Sequence, residues 1–233
     1  MMLNELYKQA GYKDKFGMMF NDDCLNIMGK MDDEFVDLIV TDPPYLMDYV
    51  SHRRKEIYKP IQGDTQAGQT LISRYLSECY RILKNNTAIY CFCSWHNVDF
   101  FKQEFEKYFK LKNILIWNKN NHGSGDLKGS YAPKYEMILY GHKGRSLFRN
   151  KRISDVIDCA KVSGAVSVHP TEKPVNLLEI FIKNNSDQNQ IIFDGFAGSG
   201  STCVAAKQLG RRYVGVELDE QYFNVAKERL ANA

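Results

Sequence analysis

Apolar residues along the chain fall into short runs separated by polar stretches bearing glycine and proline. The spacing within each run predicts its element. Phe35 to Thr41 (FVDLIVT) is a β-rich apolar run that stops at Asp-Pro-Pro, as a buried strand ended by a turn would. From Leu71 to Leu83 the apolar positions Leu71, Ile72, Tyr75, Leu76, Cys79, Ile82 and Leu83 recur at helical spacing, with a stop expected at Asn85-Asn86. Thr87 to Cys93 reads as a strand and His96 to Tyr108 as a helix, and apolar runs follow at Ile114 to Trp117 and Tyr135 to Tyr140. The last third repeats the alternation. It predicts a helix over Pro174 to Lys183, a strand over Gln190 to Phe193 and a helix over Ser201 to Leu209 ended by Gly210. A strand over Tyr213 to Val216 and a helix over Glu220 to Leu230 complete the pattern. Such alternation predicts an α/β domain whose mostly parallel sheet is covered by helices on both faces. Leu46 to Thr70 and Asn118 to Lys134 fit neither period, and long loops inside a compact domain are usually functional or mobile. There is no internal repeat.

The length of 233 residues suits one core, and 44% hydrophobic with 25% charged residues excludes disordered and fibrous classes. No run approaches the roughly 20 apolar residues that cross a bilayer. Met1 to Ala10 lacks the apolar stretch of a signal peptide, so a cytoplasmic protein is expected. The net charge of +3 permits a polyanionic partner without demanding one. The cysteines (Cys24, Cys79, Cys91, Cys93, Cys159, Cys203) form no C-x-x-C pair, and no histidine cluster has a zinc spacing, so no metal site is expected. Cys91 and Cys93 would share one strand face, but their apolar neighbours Ile89, Tyr90 and Phe92 favour buried thiols.

Two segments carry candidate chemistry. Ile191 to Thr202 (IIFDGFAGSGST) leads from a strand through glycines into a helix, where backbone N–H groups suit a carboxylate or phosphate. Glu217 ends the next strand, 23 residues after Asp194, which is where nucleotide-binding βαβ units place an acid for ribose hydroxyls. The order G-x-x-G-x-G differs from the dinucleotide fingerprint, and no lysine follows as a P-loop requires. The plain alternative is a glycine-rich turn with no ligand. The second segment is Thr41-Asp42-Pro43-Pro44-Tyr45, just past a predicted strand's carboxyl end. Two prolines stiffen the chain and remove two N–H donors, leaving acceptors on Asp42 and the proline carbonyls beside an aromatic ring. Such a cluster suits a flat group carrying an NH2, and an isolated D-P-P would otherwise be an ordinary turn.

Together, TDPPY, HPTEKP (His169 to Pro174) and FDGFAGSGST resemble the motifs of S-adenosylmethionine-dependent DNA amino-methyltransferases. Their order, catalytic motif before cofactor motif, is similar to the circularly permuted β group, and the resemblance runs from Asp22 to the final helix. It implies a single Rossmann-like methyltransferase domain over residues 1–233 and S-adenosylmethionine as cofactor. It also implies transfer to the N6 amine of an adenine flipped out of double-stranded DNA. Asp42, Pro43, Pro44 and Tyr45 match the catalytic tetrapeptide; D-P-P-Y rather than S-P-P-Y is similar to the adenine members. For the cofactor, the resemblance implies Asp23, Thr171, Lys173, Asp194, Phe196, Gly198, Gly200, Ser201 and Glu217. Thr171 and Lys173 would flank its methionine carboxylate, Asp23 would reach its adenine and Glu217 would take its ribose. Asp22 stands where relatives carry glycine, which bears on the backbone of Asp23, and Gly195 where they commonly carry proline, which is expected to loosen the turn.

A basic stretch (His52, Arg53, Arg54, Lys55, Lys59) beside the tetrapeptide and a second cluster (Lys143, Arg145, Arg149, Lys151, Arg152) are the candidate DNA contacts. The second falls where a short target-recognition region, about 141–168, is expected; both are alternatively solvated surface. Phosphate contacts there would position DNA without choosing sequence. No Pro-Cys pair occurs, so the covalent cysteine route to 5-methylcytosine lacks its nucleophile. Cytosine N4 transfer, RNA methylation and a binder that has lost catalysis are the alternatives. A second copy of the chain and a cognate restriction nuclease are the candidate protein partners that the resemblance brings.

Overall fold

A computed structural model describes residues 3–46, 68–121, 128–162 and 172–233. Within them the chain opens with helix α1 (Leu3–Gln9), strands β1 (Tyr12–Lys13) and β2 (Gly17–Asn21) and helix α2 (Cys24–Met28). There follow β3 (Val36–Thr41), α3 (Gln69–Ile82), β4 (Leu83–Cys93), α4 (Val98–Glu106), β5 (Lys110–Asn118), β6 (Tyr135–Lys143) and β7 (Val156–Asp158). The last third is α5 (Val175–Asn185), β8 (Ile191–Asp194), α6 (Ser201–Gln208), β9 (Arg212–Glu217) and α7 (Glu220–Ala231).

The strands form one sheet in the order β1-β2-β9-β8-β3-β4-β6-β5-β7. Strands β2, β9, β8, β3 and β4 are mutually parallel; β6 runs antiparallel to both β4 and β5. Side chains alternate between faces, and both faces are buried, which explains why these strands read as nearly continuous apolar runs. Ile39, Cys91, Cys93, Phe193 and Val214 pack under α1 to α4, with Leu6, Ile27, Tyr75 and Phe101. Leu38, Val40, Tyr90, Phe92, Ile192 and Tyr213 pack under α5 to α7, with Leu177, Phe181, Ala205 and Ala226. The expected two-faced α/β sheet is the observed one. All six cysteines are free and buried, and burial pushes the Cys93 thiol up to about 12.

Several expected boundaries move. Helix α3 stops at Ile82, and Leu83 opens β4 directly, so Asn85-Asn86 lies inside a strand. Asn86 has φ +62, and the β3–β4 register slips between Val36 and Leu38, so the polar pair sits at an irregular stretch. Residues 141–143, expected to open a recognition region, are instead the buried last three residues of β6, where a Cβ on Gly141 would lie 2.4 Å from the Phe105 ring. Strand β2 escapes a periodicity reading because its apolar run is only Met18-Met19-Phe20.

What matters for function is that β3 and β8 are parallel neighbours, pairing Leu38 with Ile192 and Ile39 with Phe193. From β8 the chain proceeds through α6 to β9 on one side; from β3 it proceeds to β4 on the other. Ligand crevices in open α/β sheets form at such switch points, beyond the strands' carboxyl ends. Tyr75 of α3 spans this one. Its hydroxyl lies 2.7 Å from Thr41 Oγ1 and accepts from the Gly195 N–H at 3.3 Å. Tyr75→Phe leaves that buried N–H without a partner, a cost of about 1–3 kcal/mol. Thermal unfolding of the variant is expected at a Tm lower by roughly 2–10 °C, and an unchanged Tm would show that the link carries no stability.

Candidate active site

The Asp-Pro-Pro-Tyr turn follows β3, and the side chains it presents are held from three other elements. Tyr45 donates its hydroxyl to Asp42 Oδ1 at 2.6 Å and to Glu136 Oε2 at 3.0 Å. Lys173, immediately before α5 and only 6% exposed, ion-pairs with Asp42 Oδ2 and lies 3.3 Å from Glu136 Oε2. Lys119, just past β5, donates to Glu136 Oε1 at 2.5 Å. The Lys173 ammonium also sits over the Phe92 ring at 5.0 Å and the Tyr45 ring at 5.5 Å. Two carboxylates and two ammonium groups thus share one buried cluster, which balances its charge where desolvation would punish an unpaired ion.

Burial raises the Asp42 carboxyl above the usual carboxylate range, opposed by Lys173 and reinforced by the negative charge of Glu136. Glu136 is held down to about 2: burial pushes it up, and the two lysines more than reverse that. Leu46 closes the turn at φ +59, a strained conformation for a leucine, with its side chain buried. Asn97 holds it there, donating from Nδ2 to Tyr45 O at 2.8 Å and Leu46 O at 3.1 Å.

The glycine loop lies across the switch point. Gly198 (φ +53) and Gly200 (φ +79) both take left-handed backbone, and Gly200 forms the N-cap of α6. A Cβ on Gly200 would come within 2.9 Å of Ala226 Cβ. Asp194 is fully enclosed and accepts from the Phe196 N–H at 3.1 Å; burial raises it to about 7. Glu217 Oε2 accepts from the Gly198 N–H at 2.7 Å and Oε1 from the Asp219 N–H at 2.8 Å. Burial is also the main cause that raises Glu217. Phe196 packs edge-on against Tyr75 with ring centroids 4.7 Å apart. Asp23 stands at the next strand end, since Asn21 of β2 pairs with Glu217 of β9.

The two departures from the family pattern have local remedies. Asp22 Oδ1 accepts from the Asp23 N–H at 2.7 Å, and Asp23 then caps α2 by accepting from the Leu25 N–H at 2.7 Å. At Gly195 the turn makes a bond that proline could not. A Cβ there would lie 2.5 Å from the Tyr75 ring, and its N–H, which a proline would lack, is the donor to Tyr75.

Four residues of this site carried no sequence signal: Tyr75, Lys119, Glu136 and Arg229. Arg229 of α7 donates to Ser199 O, Ser199 Oγ and Ser201 Oγ and pairs with Glu172 at 3.0 Å, tying the last helix to the loop. Adjacent residues of the T-E-K-P segment therefore serve different halves, Glu172 the glycine loop through Arg229 and Lys173 the catalytic cluster. Lys173 thus contacts Asp42 and Glu136. Thr171 lies outside the described residues, as do His52, Arg53, Arg54, Lys55 and Lys59.

The second basic cluster is not brought to the catalytic edge. Lys143 is a buried structural cation, donating to Tyr80 O and Leu83 O. It pairs with Thr87 near the amino end of β4, whose carboxyl end adjoins the catalytic turn. Arg145 follows it there, its N–H donating to Asn86 Oδ1. Arg149 pairs with Asp187 at 2.9 Å, past the far end of α5 from Lys173. Lys151 and Arg152 are exposed on the extended segment that leads to β7. Among the described residues no helix is long and apolar enough to cross a membrane, and no cluster of three metal-ligating side chains occurs.

An acid-tyrosine cluster and a glycine loop thus lie beyond the carboxyl ends of two neighbouring parallel strands, linked by Tyr75. A family model described as DNA methylase, of the N6/N4 class, matches residues 36–154 and 148–228, and the chain belongs to that family. It is 36% identical over 220 residues to the putative methylase YubD of Escherichia coli, covering 90% of this chain and 88% of that one. The crystal structure of an M1.HpyAVI–SAM complex superposes with a TM-score of 0.71 at 24% identity, covering 92% of this chain and 99% of that one. The cytosine-N4-specific PvuII methyltransferase superposes at 0.78 with 15% identity, covering 95% of this chain and 88% of that one.

The catalytic cluster and the glycine loop each carry one pH-dependent expectation. Because the charge of Glu136 raises Asp42, Glu136→Gln should move the acid limb of the pH profile of kcat/KM to lower pH and reduce its plateau. An unshifted limb would remove Glu136 from the electrostatics of Asp42. Asp194, raised in the folded state, contributes stability at low pH that is lost as pH rises from the ordinary carboxylate range through about 7. The Tm of Asp194→Asn relative to the native chain should therefore climb between pH 5 and 8 in buffer scans without cofactor. A flat difference would contradict the burial argument.

Proposed function

We propose that the protein transfers a methyl group from S-adenosylmethionine to the N6 amine of an adenine extruded from double-stranded DNA at a specific sequence. The observation that carries this is the junction at the switch point, where Tyr75 links the residue before Asp42 to the residue after Asp194.

The chain has the groups to hold the cofactor. Glu217 accepts from the Gly198, Leu218 and Asp219 N–H groups, and a carboxylate has about four acceptor directions, which leaves one for a ribose hydroxyl. Phe196 offers a half-buried ring, and Asp23 stands at the neighbouring strand end. The complex of M1.HpyAVI with SAM supports the choice of donor. When bound, S-adenosylmethionine supplies an electrophilic sulfonium methyl.

An exocyclic amine is a poor nucleophile because its lone pair is delocalised into the ring. Asp42 and the Pro43 carbonyl accept its hydrogens, which favours a pyramidal nitrogen with its lone pair concentrated. A carboxylate has about four acceptor directions, and Tyr45 and Lys173 take two of those on Asp42. Holding the amine in line supplies most of the acceleration, of which orientation can provide roughly 7–11 kcal/mol. Asp42, raised by burial, then receives the proton that the methylated amine sheds, while Lys173 keeps the cluster's charge in balance. Extruding the base costs a few kcal/mol, and stacking on the Tyr45 ring offsets about 1–3 kcal/mol of that. The resemblance of D-P-P-Y to the tetrapeptide of the adenine members favours adenine over cytosine.

Incubation with labelled S-adenosylmethionine and unmethylated genomic DNA, followed by nucleoside analysis, is expected to yield N6-methyldeoxyadenosine. N4-methyldeoxycytidine would select the cytosine alternative, and label confined to RNA would exclude both. Asp42→Ala should lower kcat by roughly 10²–10³-fold while calorimetry shows nearly native cofactor affinity; retained turnover would defeat the role given to Asp42.

A further inference from the structure

We propose that Trp95 and His96 form a stacking step for a DNA base that loses its neighbour when the target base leaves the helix. Such a step has a use only in an enzyme acting on DNA, so it rests on the methyl-transfer function proposed above.

The chain holds two tryptophans, and the fold treats them oppositely. Trp117 is 2% exposed and donates its indole N–H to Cys159 O at 2.7 Å, as a core tryptophan should. Trp95 is 52% exposed. Its ring nevertheless stacks on His96 with centroids 3.8 Å apart and planes 26° from parallel. The pair sits on a tight turn: Asn97 N–H donates to Ser94 O at 3.2 Å, and His96 Nδ1 lies 3.0 Å from Ser94 Oγ. A half-exposed indole already stacked on its neighbour presents a preset aromatic face, which costs little ordering entropy on binding.

Its location supplies the partner. The turn leaves the carboxyl end of β4, the parallel neighbour of β3, so it lies on the same sheet edge as Asp42. Asn97, two residues on, is the side chain that holds Tyr45 O and Leu46 O, so the backbone that carries the indole is tied to the catalytic turn. The β4–β6 ladder ends with Cys93 opposite Met137, which brings the chain out beside Glu136 and Tyr135. Tyr135 is itself 39% exposed. Trp95 is half exposed and makes none of the contacts of the carboxylate cluster that the target amine must reach. A base stacked on it is therefore a neighbour of the extruded one. Every base has a π face, so the step adds affinity without reading sequence.

Because Trp95→Phe leaves only the buried Trp117, fluorescence isolates the step. With S-adenosylmethionine present, unmethylated genomic DNA fragments should quench the native emission and leave that of Trp95→Phe unchanged. In steady-state transfer, Trp95→Ala should raise KM for DNA roughly tenfold, within the range that loss of one base–aromatic stack gives. The kcat and the cofactor Kd should hold, and Trp95→Phe should restore most of the loss. Emission unaffected by DNA that the native protein demonstrably methylates would overturn the step and leave methyl transfer standing. Loss of kcat with a lowered Tm and unchanged KM would make Trp95 a packing residue and overturn it too. A native protein that labels no DNA would instead overturn the methyl-transfer function, and the step with it.

Discussion

The parallel pairing of β3 with β8 is the constraint on which the rest depends. These strands lie some 150 residues apart in the chain, yet only their adjacency sets Asp42 beside the glycine loop. The pairing is secured at both ends. At the amino end Asp37 accepts from the Ile191 N–H at 2.8 Å and pairs with Lys84 of β4 at 2.8 Å. At the carboxyl end the Tyr75 hydroxyl reaches Thr41 and Gly195. A parallel pair has no hairpin to fix its register, so buried side-chain links of this kind carry that task.

Charge balance is the second organising element. Asp42, Glu136, Lys119 and Lys173 come from four segments, and each would be costly to bury without the others. The same desolvation that makes the cluster demanding raises Asp42 and gives a carboxylate suited to receiving a proton. On the cofactor side, Asp194 is enclosed with hydrogen bonds from Thr202, Thr41 and the Phe196 N–H, and burial raises it to about 7. The two halves of the site thus use burial differently, one with counter-ions and one with N–H and hydroxyl donors.

Much of this was legible in the chain because the signals were local. The strand-turn at Thr41-Asp42-Pro43-Pro44-Tyr45 and the strand-loop-helix at Asp194 to Ser201 carry proline and glycine at positions where backbone geometry requires them. Glu217 was legible from its spacing. Glu136 and Lys119 were not, since an acid at the start of β6 and a lysine past β5 look like ordinary surface residues until the antiparallel β5–β6 pair folds them onto Asp42. Lys143 misled in the opposite sense: it belongs to a basic run, but burial turns it into a structural donor to two backbone carbonyls.

The sequence by itself determined the alternation of strands and helices, the chemistry of the two motifs and their order. Periodicity and backbone-restricting residues act within a few positions and need no partner. Tertiary structure alone decided which strands are neighbours, which charges share a cavity and which tryptophan stays in water. Those outcomes depend on desolvation and on contacts between segments far apart in the chain, and neither is encoded in any single stretch of it.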